Sequence, residues 1–341
     1  MTIRSLRRIP KAELHVHLDG SLRLKTFLEL AKGLPAERRF PRSLDLRKAV
    51  VPRVKGALES YLDSFEYTIV VLQSAEALDR AAYELCEDAW SENVIYIEIR
   101  FDPLLHTEDG LSPRDVVQAA VAGCERARAA LGIEAGLLLT ALRNESTERS
   151  MEVAQLAAQF RGKGVVGFDL AGPELGYSPT EHRAAIELAH DAGVPVTIHA
   201  GEGCCPEHIK EALDLGAARI GHGVFLFKAP AVEQRVAELQ IPLEVCPTSN
   251  LQVSGFMKGY ADHPLKRYYD LGIPITLNTD NRLMSQVDLT HEYAAVVRAF
   301  SLSREEVERI ALAGVDAAFA PPPLKATLRE RVQAAFDRLK A

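Results

Sequence analysis

The sequence predicts an α/β protein, a (β/α)8 TIM barrel with extra helices over the barrel mouth, occupying residues 1–341 as a single domain. Three observations predict it. Eight short apolar, β-branched runs recur along the chain, separated by longer amphipathic stretches. The runs are continuous rather than alternating, as in strands buried on both faces of a parallel sheet. The first run leads into His15-Val16-His17-Leu18-Asp19-Gly20, which lacks the glycine-rich phosphate turn of a doubly wound sheet.

Taken in order, the predicted strands are Glu13 to Leu18, Ile95 to Arg100, Glu134 to Thr140, Val165 to Leu170, Pro195 to Ala200, Arg219 to Gly223, Leu243 to Pro247 and Pro274 to Asp280. Between the first two, the segment from about Leu24 to Trp90 is too long for one crossover helix, so extra helices over the mouth are expected there. Ser112 and Pro113 read as N-cap and first residue of a helix that carries Val116, Val117, Ala120, Val121 and Cys124 at three-to-four spacing. Ser178-Pro179-Thr180-Glu181 reads as a capping box. No repeat, low-complexity stretch or linker divides the chain.

Composition narrows the function. A chain of 341 residues with 47% hydrophobic content can bury a large core. The net charge of −7 argues against a surface that tracks phosphates, so no nucleic-acid partner is expected. Neither an export signal nor an apolar run long enough for a membrane span is visible, which points to a cytoplasmic protein without a membrane partner. Oligomeric state is not legible. The five cysteines, Cys86, Cys124, Cys204, Cys205 and Cys246, lack a framework spacing and read as reduced thiols.

Four motifs carry chemistry. His15-Val16-His17 lies on the first strand, where period-two alternation sends both imidazoles to one face. His199-Ala200-Gly201-Glu202 ends the fifth strand, Gly221-His222-Gly223 lies on the sixth, and Asn278-Thr279-Asp280-Asn281 ends the eighth. Each alone has an ordinary structural explanation, a core histidine or a helix cap. Their coincidence at one end of the predicted strands, where parallel barrels build active sites, points to a metal centre. Three imidazoles and a carboxylate, from His15, His17, His199 and Asp280, suit one Zn2+ with a water completing the shell. Zinc brings the pKa of such a water towards 7, and a nearby carboxylate and imidazole handle its proton.

With the Pro10-Lys11-Ala12-Glu13-Leu14 lead-in, Asp169-Leu170-Ala171-Gly172 and Cys246-Pro247-Thr248-Ser249-Asn250, these motifs stand in the order of the adenosine deaminase family, which the chain resembles over nearly its whole length. The resemblance implies zinc-dependent hydrolysis of a 6-aminopurine nucleoside, adenosine or deoxyadenosine, to inosine or deoxyinosine and ammonia. It implies His15, His17, His199 and Asp280 as zinc ligands, Glu202 as the group that protonates purine N1, and His222 as an aid to the attacking hydroxide. Asp280 also shares the water's proton. Gly172 matches a backbone contact to purine N3, and Asp19 a carboxylate near the ribose 5′-hydroxyl. Tyr61, Leu62 and Phe65 fall where the family has an apolar helix over the pocket. One position departs: the family commonly follows the ligand aspartate with a second, which meets purine N7, and here Asn281 stands instead. Its amide can still donate to N7.

Rival readings are weighed on the same residues. A 5′-modified nucleoside such as aminodeoxyfutalosine would place a bulkier group beside Asp19. Free-adenine enzymes of the family typically show Glu-Gly where this chain has Asp19-Gly20. Binuclear barrel hydrolases need a lysine after the fourth strand, where this chain offers Phe168-Asp169-Leu170-Ala171. The His-x-Glu and Pro-Cys-x-x-Cys pair of cytidine-type deaminases does not occur. A non-catalytic nucleoside-binding protein would not be expected to keep every proposed ligand and proton-transfer group.

Overall fold

A computed structural model describes residues 1–52, 56 and 58–339. Eight parallel strands run in the order β1 to β8 with each hydrogen-bonded to the next. They are β1 Lys11–His17, β2 Val94–Phe101, β3 Glu134–Leu142, β4 Val165–Ala171, β5 Val196–Ala200, β6 Arg219–His222, β7 Leu243–Val245 and β8 Ile275–Leu277. The sheet closes where Val16 forms a parallel bridge with Asp280, and the Leu14 N–H donates to Asn278 Oδ1 at 2.7 Å. The predicted barrel is therefore present. Its last two strands are shorter than expected, because Pro247 opens a helix, Pro247–Val253, and the chain leaves the ladder after Leu277.

The continuous apolar runs are buried on both faces as predicted; every residue of β2 is buried. One large core joins the strands to the surrounding helices. Ser112 caps helix Pro113–Leu131, and the reciprocal bond from Asp115 completes a capping box. At Ser178 the expected box is replaced by a shorter device. Ser178 accepts from the Thr180 N–H at the start of a 3-10 turn, Pro179–His182, and donates to Glu211. The segment after β1 holds the extra helices, among them Leu24–Gly33, Leu58–Leu62, Phe65–Ile69 and Ala75–Ser91. Leu58, Tyr61, Val253 and Met284 form a separate apolar cluster with Leu62 and Phe65 against it.

One expectation about the cysteines needs correction. Cys204 and Cys205 are joined by a disulfide, while Cys86, Cys124 and Cys246 are free and buried. Adjacent cysteines are ill suited to share a tetrahedral metal but can bond to each other where the chain turns sharply, and Cys205 stands in the left-handed region at φ 56°.

Candidate active site

The site lies at the C-terminal end of the barrel, in a cavity of about 530 Å3. His17, Asp19, Tyr61, Leu62, Phe65, Gly172, His199, Glu202, His222, Asp280 and Asn281 all line it. Of the residues singled out from the sequence, only His15 is not in its wall; it sits just beneath, with no exposed surface.

Strand alternation places the imidazoles. His15 and His17 leave β1 on one side, and His199 comes from the fifth strand opposite. Ring nitrogens of the three lie within 4.8 Å of one another. Asp280 Oδ1 stands 3.5 Å from His15 Nε2 and 3.3 Å from His17 Nε2. The carboxylate arrives there through an unusual backbone: Asp280 has φ 61°, its N–H donates to the His15 carbonyl, and its own carbonyl accepts from His17. A non-glycine residue in the left-handed region costs energy and is characteristic of functional positions.

A second layer fixes the rings. His15 Nδ1–H donates to Glu244 at 2.8 Å, and His199 Nδ1–H donates to Asp169 at 3.1 Å. In a neutral ring that leaves Nε2 as a lone pair. His199 Nε2 faces His17 Nε2 at 3.3 Å, and His15 Nε2 has no hydrogen-bond partner among the described residues. The buried His15 lone pair faces the Asp280 carboxylate at 3.5 Å with no donor between them, and a cation there removes the repulsion. The donor set of three imidazoles and one carboxylate thus fits a zinc ion. Burial, with Arg100 next for His15 and His199 next for His17, holds both rings well below the ordinary histidine range, so the neutral, ligating form is the one present.

The supporting carboxylates are themselves held. Arg100 donates to both Glu244 and Asp169, and Arg219 to Glu244 and Glu98, all with side chains at most 1% exposed. For Asp169 and Glu244 burial pushes the pKa up, but His199 and Arg100 beside the first, and Arg100 and Arg219 beside the second, override it and both stay below the usual carboxylate range. This buried network was not read from the sequence. Its signal was there, in charges standing inside otherwise apolar strands, which must be paired.

Glu202 and His222 stand on the far side of the histidine cluster, with Glu202 Oε1 3.7 Å from His222 Nε2. Burial first, then the charges of Asp280 and Glu174, raises the Glu202 carboxyl well above its usual range. Glu174, another residue the sequence did not single out, anchors the loop that bears it. Its carboxylate accepts from four successive backbone N–H groups, Gly201 at 2.5, Glu202 at 3.0, Gly203 at 2.9 and Cys204 at 3.1 Å. Such a nest ties the β4 loop carrying Gly172 to the β5 loop carrying Glu202. Ser249 donates to Asp280 Oδ2 at 2.6 Å, and the Tyr61 hydroxyl meets Ser285 at 2.8 Å.

Asp19 is 4% exposed, its Oδ1 has no partner among the described residues, and burial raises it to about 7. Gly20 beside it is required by close approach: a Cβ there would lie 1.6 Å from Asn281 Oδ1.

The site can therefore hold a divalent metal, offer a protonated carboxyl group and an imidazole on one side of it, and enclose a flat ring between Gly172 and the apolar helix. Comparisons with known proteins agree with that content. The model of the adenosine deaminase family matches residues 10–335. Adenosine deaminase of Clostridium perfringens is 41% identical over 95% of this chain and 98% of its own length. Among solved structures, an amidohydrolase of Burkholderia ambifaria with bound Zn superimposes with a TM-score of 0.91 at 26% identity, covering 99% of this chain and 93% of that one. The N6-mAMP deaminase of Arabidopsis superimposes with a TM-score of 0.88 at 30% identity, covering 97% and 99%.

Proposed function

The chain belongs to the adenosine deaminase family and is a hydrolase acting on the carbon–nitrogen bond of a cyclic amidine, and from that premise we propose that it hydrolyses the 6-amino group of adenosine and deoxyadenosine, with one Zn2+ per chain. The observation that carries this reading is the convergence of His15, His17, His199 and Asp280 beside Glu202 and His222 in one cavity. Held by those four ligands, Zn2+ supplies a water acidic enough to act as a nucleophile near neutral pH.

The chain's own residues do the rest. Glu202, kept protonated by burial, donates to purine N1 and makes C6 electrophilic. Asp280 lies where the attacking water's proton can be taken, and His222 faces the same oxygen. The Gly172 N–H meets N3. Asn281 turns its carbonyl oxygen against Gly20, which leaves the NH2 end for N7. Tyr61, Leu62 and Phe65 cover the ring and exclude water. Asp19 receives the 5′-hydroxyl. Water's oxygen stays on C6, and ammonia leaves with the hydrogens it needs from N6 and water.

The cavity wall favours an uncharged nucleoside over the rival with an acidic 5′ extension. Asp19, Glu59, Asp63, Glu66, Asp102 and Glu145 line it, and among its described lining residues there is no lysine or arginine. A carboxylate or phosphate on the 5′ carbon would find no cation in that wall and would stand beside acidic groups, of which Glu59, Asp63 and Glu66 are exposed.

The test follows the ultraviolet change when zinc-loaded protein meets adenosine, deoxyadenosine, adenine and a 5′-extended acidic nucleoside in parallel. Loss of adenosine and deoxyadenosine absorbance is expected. Turnover of the 5′-extended compound alone would move the substrate to the rival, and no turnover with zinc bound would leave a nucleoside-binding protein. Glu202→Gln is expected to lower kcat by about 1,000-fold with zinc retained, within the range that general acid catalysis supplies.

A further inference from the structure

His222 reaches the reaction through a chain of hydrogen bonds whose polarity is fixed at its far end. The Leu265 backbone N–H donates to His263 Nδ1 at 3.0 Å, so that nitrogen carries a lone pair. A ring that accepts at Nδ1 is not an imidazolium, and burial, which lowers His263 to about 3, agrees. The single ring proton is then on Nε2, which donates to Asn250 Oδ1 at 3.1 Å. The Cys246 backbone N–H points at the same atom at 3.3 Å. Two donors identify that end of the Asn250 amide as oxygen. The other end is the NH2 group, 2.9 Å from His222 Nδ1, and it donates. Asn250 is fully buried, His263 is 4% exposed and His222 1%. Water has little access to rearrange the chain.

We propose that Asn250 and His263 are positioning residues that lock His222 in the tautomer with its proton on Nε2, so that His222 meets the reacting oxygen as a hydrogen-bond donor and not as a base. The proposal rests on the deaminase reading above. With Nδ1 occupied by Asn250, the neutral ring has no free lone pair facing the cavity. Nε2, buried and without a hydrogen-bond partner among the described residues, is the atom aimed inwards, 3.7 Å from Glu202. A proton lost by water therefore goes to Asp280 and from there to the departing amine as the C6–N6 bond breaks, while the new C6–O bond forms against a donor that stabilises charge on that oxygen. The left-handed backbone at His222, φ 64°, together with the adjoining Gly223, φ 65°, turns the ring into this position.

Asn250→Asp tests the lock with little change of shape. The carboxylate still accepts from His263 and Cys246, but it now accepts from His222 Nδ1–H as well. Ring nitrogens of 15N-histidine-labelled protein report which atom bears the proton, and a His222→Asn spectrum assigns the signal. In wild type, metal-free and zinc-loaded, His222 Nδ1 should be unprotonated. In Asn250→Asp it should be protonated, with kcat about 100-fold lower, KM within about threefold and zinc content unchanged, since presenting the wrong tautomer can cost more than that elsewhere. A protonated Nδ1 in wild type overturns the proposal. So does an unprotonated Nδ1 in Asn250→Asp, or a protonated one with kcat within about threefold of wild type. If Asn250→Asp does not fold, the wild-type spectrum alone decides the tautomer. Should wild type deaminate no 6-aminopurine nucleoside, the functional reading falls, while the spectrum still tests the lock.

Discussion

At the residue scale, burial sets the charge state of most groups in and around the cavity, and the consequences are measurable without a substrate. Asp102 is a good case. It caps the turn Pro103–His106 by accepting from the Leu104 N–H at 2.8 Å, and it is 4% exposed. Burial raises it from 3.8 to about 7, against the pull of the Leu104 N–H and Arg149. Between those two values the folded protein holds a proton that the unfolded chain has released, so stability falls as pH rises from 3.8 to about 7 and is flat above. Asparagine caps as well as aspartate and does not titrate. Asp102→Asn should therefore match wild type near pH 3 and exceed it by roughly 4 kcal/mol at about pH 8, the value of a shift of that size. Urea unfolding at the two pH values checks it; a pH-independent difference would mean that Asp102 is ionised in the folded state. The same scale shows what could be read in advance. His15, His17, His199 and Asp280 stood out because their residue types repeat at strand ends. Glu174 and His263 did not, and Asn250 entered only as the end of the Cys246-Pro247-Thr248-Ser249-Asn250 motif, because each acts on another residue of the protein and no sequence spacing reveals that partner.

At the scale of elements, hydrophobic runs marked all eight strands, since a barrel strand buried on both faces has little choice of residue. The ends were less legible. β7 stops early because Pro247 opens the helix Pro247–Val253, and β8 because the polar Asn278-Thr279-Asp280 follow Leu277 and carry the chain into the site. The helices Leu58–Leu62 and Phe65–Ile69 were expected only as covering structure, and the cavity wall gives them a place: Tyr61, Leu62 and Phe65 all line it. They carry little of the main core, since their apolar side chains form a small separate cluster. Truncating one should thus spare the fold and weaken the hold on the ring. For Phe65→Ala the expected change is a KM about tenfold higher with kcat within about threefold, the pattern of lost uniform binding. A fall in kcat at unchanged KM would show instead that the helix orders the reacting groups and does not merely cover them.

At the scale of the whole molecule, the metal site and the barrel seam are the same place. β1 and β8 meet through Val16 and Asp280, with two backbone hydrogen bonds, from the His17 N–H to the Asp280 carbonyl and from the Asp280 N–H to the His15 carbonyl. That is the thinnest pairing in the sheet, since every other neighbouring pair of strands aligns at least two pairs of residues. The proposed ligands lie on both sides of it, two on β1 and one after β8, with the fourth across the barrel on β5. An ion bound there joins the first strand to the last and favours the folded state by mass action, by about 4 kcal/mol when free metal exceeds Kd 1,000-fold. Chelation should accordingly lower Tm as well as activity, and zinc should restore both. His17→Ala tests whether the two effects share one site: it should lose turnover and bound zinc together, and its Tm should no longer respond to added zinc or to chelator. Calorimetric scans of wild type and variant with and without zinc make the comparison. If His17→Ala kept a zinc-dependent rise in Tm equal to that of wild type, the stabilising ion would sit elsewhere, and closure of the barrel would owe nothing to the catalytic centre.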